Sequence, residues 1–239
     1  MSGSQYIALS GLRARVDELD RLATDIANIG TAGYKGEREA RAVAERPQFE
    51  ATLQSAIDTT FGGRRLDASD GAIAPTGRPL DVAIDGKGFF VVSTASGNLY
   101  TRNGHFTIDS NRQLVTEDGD PVLGTGGPIT LGPGDVRIDN DGTVWAGETR
   151  AGRLSVVMFA DPGSLERDHG TLLRAPGQTP TAFDAAIVHG GSLEQSNVSV
   201  ADRLAELTSV SRGFQALQKA MALMMNDIDG KAIDSLGRR

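Results

Sequence analysis

His105, His169 and His189 are the side chains best suited to proton transfer or metal ligation in this 239-residue chain. Metal sites draw ligands at short, repeated intervals, and these three stand far apart with no such spacing. They read as solvated or structural imidazoles. The chain has no cysteine, so thiolate ligands and disulfides are excluded. Asp139, Asp141, Gly142 and Glu148 fall on positions 3, 5, 6 and 12 of a calcium-loop pattern. Position 1 is Arg137, a cation where the ion needs a carboxylate, and the flanks look like strands. The stretch reads as a hairpin turn. Asp81 and Asp85 could form an acid–base pair, yet Asp85-Gly86 is more simply a turn and Asp81 a solvent-facing strand position. Asn197-Val198-Ser199 fits a glycosylation acceptor but overlaps a helix start. No nucleophile elbow, Walker loop or dinucleotide fingerprint occurs. These residues predict no enzyme, no metal and no cofactor.

The elements that would hold any site in place are more informative. Leu9, Leu12, Val16, Leu19, Ala23 and Ile26 recur in steps of three and four. Near the other end Leu207, Val210, Phe214, Leu217, Met221, Met224 and Ile228 keep the same rhythm. That is the narrow apolar seam of a coiled coil, which needs a partner helix. The spacing predicts helices over about 5–28 and 200–229. The first stops at Asn28-Ile29-Gly30, and the second is capped by Ser199 with Asp202 three residues on. Because the middle of the chain is not helical, the ends must pair with each other, with copies of the chain, or both. Assembly is the expected role of Leu9, Leu12, Val16, Leu19, Ile26, Leu207, Val210, Phe214, Leu217, Met221, Met224 and Ile228.

From Leu80 the apolar period falls to two, and turns recur at Asp85-Gly86, Ser96-Gly97, Asn103-Gly104, Asp118-Gly119 and Asp141-Gly142. Short antiparallel hairpins follow from that punctuation. The expected class is α+β: N- and C-terminal helices paired as a coiled-coil-like domain, with a central antiparallel β-rich domain. Residues 1–34 and 197–239 form the discontinuous helical assembly domain, 35–76 a connector, and 77–196 the β-rich domain. Within the connector, Phe49, Leu53, Ile57 and Phe61 sit at steps of four and allow a short helix.

A net charge of −7 with scattered cations argues against nucleic acid. No run reaches the roughly 18 apolar residues of a membrane span, so no membrane insertion is expected. The first residues carry no basic and apolar leader, so a cleaved signal peptide is not expected either.

Four strings, in order, resemble the flagellar rod and hook protein family. They are Asp25-Ile26-Ala27-Asn28-Ile29-Gly30-Thr31-Ala32-Gly33-Tyr34-Lys35, then Gly77-Arg78-Pro79-Leu80-Asp81-Val82-Ala83-Ile84-Asp85-Gly86-Lys87-Gly88-Phe89-Phe90. The third is Tyr100-Thr101-Arg102-Asn103-Gly104-His105-Phe106, continued by Leu114-Val115-Thr116 and Pro121-Val122-Leu123-Gly124. The fourth is Gly191-Ser192-Leu193-Glu194-Gln195-Ser196-Asn197-Val198. The resemblance implies terminal helices packed in an inner tube and a β domain outside it. It implies a structural subunit of the periplasmic flagellar rod, most like the proximal rod protein, exported through the flagellum's own apparatus. Its implied partners are other rod subunits, copies of itself and that export apparatus. The alternatives are the distal rod paralogue, a soluble β-domain binding module dimerised by its helices, and an enzyme with an unrecognised site.

Overall fold

Two helices carry the seams. The first, α1 (Gly3–Ala27), ends where Thr31 N–H donates to the Asn28 carbonyl at 3.1 Å and the chain turns through Gly33, whose φ is +64°. The second, α2 (Val200–Leu236), begins where Asp202 N–H reaches the Ser199 hydroxyl at 3.4 Å, the capping contact its sequence announces. It continues through Gly230, beyond the expected end at residue 229. The computed structural model describes residues 3–39 and 64–236; the side chains of 3–10, 39, 220 and 223–236 are outside that description. The short helix considered around Phe49, Leu53, Ile57 and Phe61 lies outside the described residues.

The described chain divides into two compact units. One is the helical unit, from Met1–Ala27 and Ser199–Arg239 so far as they are described. In it α1 and α2 pack antiparallel: a Cβ on Gly11 would lie 3.5 Å from Leu217 Cδ2, and one on Gly213 would lie 4.0 Å from Arg15 Nε. Leu22 is fully buried and Val210 nearly so.

The other unit comprises Asn28–Arg38 and Arg64–Val198. Its largest sheet has six antiparallel strands, in the order Glu166–His169, Leu172–Arg174, Gly97–Thr101, Phe89–Thr94, Val156–Met158, Thr181–Ala182. Along Phe89-Phe90-Val91-Val92 successive side chains point to opposite faces and both faces are covered, so all four are buried. Phe90 joins Val82, Phe106, Leu114, Val122 and Val188 in one core; Phe89 and Val91 join Leu66, Tyr100, Phe159 and Leu173 in another. A three-stranded sheet (Val136–Ile138, Thr143–Ala146, Thr149–Arg153) and several two-stranded pairs complete the unit.

The α+β class expected from the sequence is overturned. Among the described residues the fold is mostly β-sheet, with two α-helices that lie at the ends of the described chain and pack on each other. Glycine-bearing turns cut the chain between Arg64 and Glu194 into many short strands, none longer than six residues. Nor are all the pairings local hairpins: Val82–Asp85 pairs with Ile187–Gly190, and Ile73–Pro75 with Ser192–Glu194.

Candidate functional site

The polar residues that might have done chemistry are occupied with holding loops. His105 Nδ1 lies 2.8 Å from Asp81 Oδ1, which accepts from it, and Nε2 lies 3.3 Å from the Glu117 carboxylate. Asp81 is not the solvent-facing residue expected: it is 1% exposed, and it accepts a 2.6 Å hydrogen bond from the Thr76 hydroxyl. The alternation in Leu80–Ile84 misleads because the segment is covered on both faces. His169 sits on the surface beside Asp168, and His189 beside Asp85. Asp139 accepts from Trp145 Nε1 at 2.7 Å and Asp141 from Thr143 N–H at 2.9 Å, so the calcium-like string is a hairpin turn. The Thr143 backbone and hydroxyl donors hold the Asp141 carboxyl below its ordinary pKa. The Asn197 amide donates to the Asp67 carbonyl and accepts from Gly36 N–H, which makes the glycosylation pattern a structural one. Among the described residues no cluster of three or more His, Asp or Glu could hold a metal ion.

The seam residues lie in the helical unit as follows. Val210 is buried; Leu12, Leu19, Ile26, Leu207, Phe214, Leu217 and Met221 are half-buried; Val16 is 41% exposed. Leu9, Met224 and Ile228 have side chains outside the description. Periodicity did not disclose what stands beside the seam. Arg21 and Asp25 of α1 are buried, and they meet Arg203 and Glu206 of α2. Arg21 Nη2 lies 3.1 Å from Glu206 Oε1, and Arg203 Nε lies 3.0 Å from Asp25 Oδ2. Within each helix Arg21 is 3.6 Å from Asp25 and Arg203 is 2.7 Å from Glu206. Four charges of alternating sign thus close a ring across the two helices.

A second buried ionic cluster sits in the β unit. Glu194, 1% exposed, accepts from Lys35 Nζ at 2.6 Å, from Arg102 Nη1 at 3.0 Å and from Gly71 N–H at 2.8 Å. Lys35 also donates to the Ser69 carbonyl, and Arg102 to the Gly86 carbonyl, each at 2.6 Å. Arg102 lies over the Phe89 ring and Arg167 over the Tyr34 ring. Desolvation holds the Lys35 ammonium below the ordinary lysine range, and the Glu194 carboxylate offsets part of that. Gly33 makes the cluster possible: a Cβ there would fall 2.2 Å from the backbone of Arg102 and Asn103. Its own N–H donates to the Glu194 carbonyl at 2.7 Å. The segment that follows α1 and the one that precedes α2 are therefore tied together through the core of the β unit. The strings around Lys35, Arg102 and Glu194 are visible in the sequence; their convergence is not.

An antiparallel pair of seam-bearing helices, joined in sequence to a β unit in which Asp81, His105, Asp139, Asp141, Glu194 and Asn197 hold loops and strands, defines a structural subunit. Comparison with known proteins says of what. The chain matches the flagellar hook protein FlgE/F/G D1 domain over residues 83–146 and the flagellar basal body rod FlgEFG protein C-terminal family over 189–233. It is 33% identical to the flagellar basal-body rod protein FlgF of Caulobacter vibrioides, over 100% of this chain and 99% of that one. It is also 33% identical to the rod protein FlgG of Bacillus subtilis, over 92% of this chain and 94% of that one. With FlgF of Salmonella typhimurium the identity is 30%, over 97% of each. The chain belongs to the flagellar basal-body rod protein family. It is a structural protein of the flagellar basal body, not an enzyme, and no helix among its described residues is long and apolar enough to cross a membrane.

Proposed function

We propose that the chain is a rod subunit of the FlgF type, the proximal rod protein, assembling axially through α1 and α2. The observation that carries this reading is the half-buried seam. With α1 and α2 already packed on each other, Leu12, Leu19, Leu207, Phe214 and Leu217 keep exposed apolar surface, and Val16, Val200 and Leu204 are 41%, 47% and 48% exposed. A helix pair that leaves this much apolar surface uncovered is suited to further helices. Its partners are copies of itself and the homologous rod subunits that carry equivalent ends, with the flagellar export apparatus as the route of delivery. In this reading the helical unit is the assembly domain. The FlgF type is favoured over FlgG because the Caulobacter FlgF match takes in the whole chain, whereas the Bacillus FlgG match takes in 92% of it.

The test is a charge in the seam. Burying Leu19 or Leu217 against a neighbour contributes about 1.5–3 kcal/mol, and an aspartate there adds an unpaired buried charge. Leu19→Asp and Leu217→Asp should each abolish incorporation into basal bodies and motility while the β unit stays folded. Normal basal bodies from either variant would refute assembly through these helices.

A further inference from the structure

An apolar seam repeating every three or four residues does not by itself distinguish one alignment of two helices from the alignment one turn away. Leucine meets leucine, valine or methionine in each. The ring of four charges does distinguish them. We infer that Arg21, Asp25, Arg203 and Glu206 fix the register of α1 on α2, admitting the observed alignment and rejecting its one-turn neighbours.

The argument rests on what each slip brings together. In the observed alignment Arg21 faces Glu206 and Asp25 faces Arg203, at 3.1 and 3.0 Å. Arg203 stands three residues before Glu206, close to one turn. Sliding α2 by one turn in one direction sets Arg21 against Arg203 and takes from Asp25 its partner on the other helix. Sliding it the other way sets Asp25 against Glu206 and takes from Arg21 its partner on the other helix. Either slip replaces two attractive pairs between the helices by one like-charge contact and leaves two of the four charges with only the partner on their own helix. Arg21 is 6% and Asp25 1% exposed, so water screens an error at these two poorly, while Glu206, its side chain 37% exposed, stays open to it. A buried polar constellation that selects register over its neighbours is the best-attested use of such groups. The inference concerns pairing inside one chain and stands whether or not the helices also assemble with other subunits.

The absence of cysteine makes the test clean. In the purified full chain, dilute and monomeric, Gly11→Cys is combined with Leu217→Cys, which faces it, or with Gly213→Cys or Met221→Cys, one turn to either side. The rate of intramolecular disulfide formation reads the register. With the ring intact, the 11–217 pair should form faster than either alternative by at least on the order of a hundredfold, the lower end of what one broken buried ion pair implies. Inverting α1 alone, with Arg21→Glu and Asp25→Arg, places like charges opposite each other in the native alignment and opposite charges in a slipped one. The preference should then move to the 11–213 or the 11–221 pair. Adding Arg203→Glu and Glu206→Arg inverts the whole ring and should return it to 11–217. A preference for 11–217 that survives the α1 inversion would overturn the inference. If the α1-inverted chain loses its helical signal, the fully inverted ring decides: recovery of the 11–217 preference supports the register role, and failure to recover it overturns it. Because every readout is intramolecular, failure here leaves the rod reading untouched, and the motility test above leaves this one untouched.

Discussion

Replacing Glu194 by glutamine removes one charge and almost no volume, yet it should be among the costliest single changes available to the β unit. Glu194 is the carboxylate that bonds Lys35 Nζ at 2.6 Å, and it shares Arg102 with Asp70, which is half exposed and 3.4 Å away. Lys35 and Arg102 are themselves 2% and 3% exposed. Removing one partner of a buried ion pair costs about 3–5 kcal/mol, because the other charge stays behind without compensation. Two cations are left behind here, but Lys35 can shed its proton, whereas a guanidinium cannot; the single-pair range is therefore the appropriate one. For a unit of this size each kcal/mol lowers Tm by about 2–4 °C, so the expected drop is roughly 6–20 °C. Trp145, the single tryptophan, lies in the β unit, so its fluorescence during heating reports that unit alone. Glu117→Gln, at a carboxylate whose side chain is 63% exposed, serves as the control and should change Tm little. A Glu194→Gln protein that melts within about 2 °C of the parent would refute the claim that this cluster holds the unit together.

Lys35 should make stability depend on pH in the alkaline range. Burial lowers its pKa from about 10.5, so in the window just below that value the unfolded chain binds the extra proton and the folded one does not. The stability of the parent relative to Lys35→Met should accordingly rise with pH through that window; a flat difference in denaturant titrations would refute it. Gly33→Ala should destabilise the β unit by more than the ~1–2 kcal/mol of a left-handed residue alone, since its Cβ also meets the Arg102 backbone. Gly30→Ala, with nothing within 4 Å of its Cβ, should be close to neutral; equal melting temperatures for the two would be evidence against the close approach. In hydrogen exchange on the dilute monomer, peptides over Arg21–Ile26 and Arg203–Val210 should be slower than those over Arg13–Val16 and Arg212–Gln215, and both slower sets still faster than Phe89–Thr94. Uniform exchange along the helices would count against the ring as their anchor.

Local periodicity made the helices and the turns legible. The three-four rhythm from Leu9 and from Leu207 marks the helices, and Asp85-Gly86, Asp118-Gly119 and Asp141-Gly142 mark turns, although the same dipeptide at Asp229-Gly230 lies inside α2. What could not be read is whatever depends on a partner far along the chain. Nothing near Ile73 announces that it will pair with Glu194, because strand pairing leaves no trace in either strand's own pattern. The same holds for charge. Lys35, Arg102, Asp25 and Arg21 look like surface residues because such side chains are rarely buried unless paired, and their partners lie elsewhere in the sequence. Even the seam shows the limit. Its rhythm passes through Ala23, yet the side chain fully buried on α1 is Leu22, and the helix face is turned so that Arg21 and Asp25 share the contact.

The two ionic clusters do different work from the apolar residues around them. Apolar burial is non-directional and roughly proportional to area, so it can drive two seam-bearing helices together without deciding how they align. An ion pair buried at 3 Å is the reverse. Its desolvation cost leaves little net stabilisation, but a misplaced partner is penalised heavily. In the proposed assembly a subunit whose helices meet similar seams gains from settling its own alignment first. The ring on α1 and α2 has that character. Lys35, Arg102 and Glu194 have it in the β unit, where they hold the residues just after α1 and just before α2 in one core. In the proposed assembly the apolar stripe serves association, and the charges set the alignment in which it is presented.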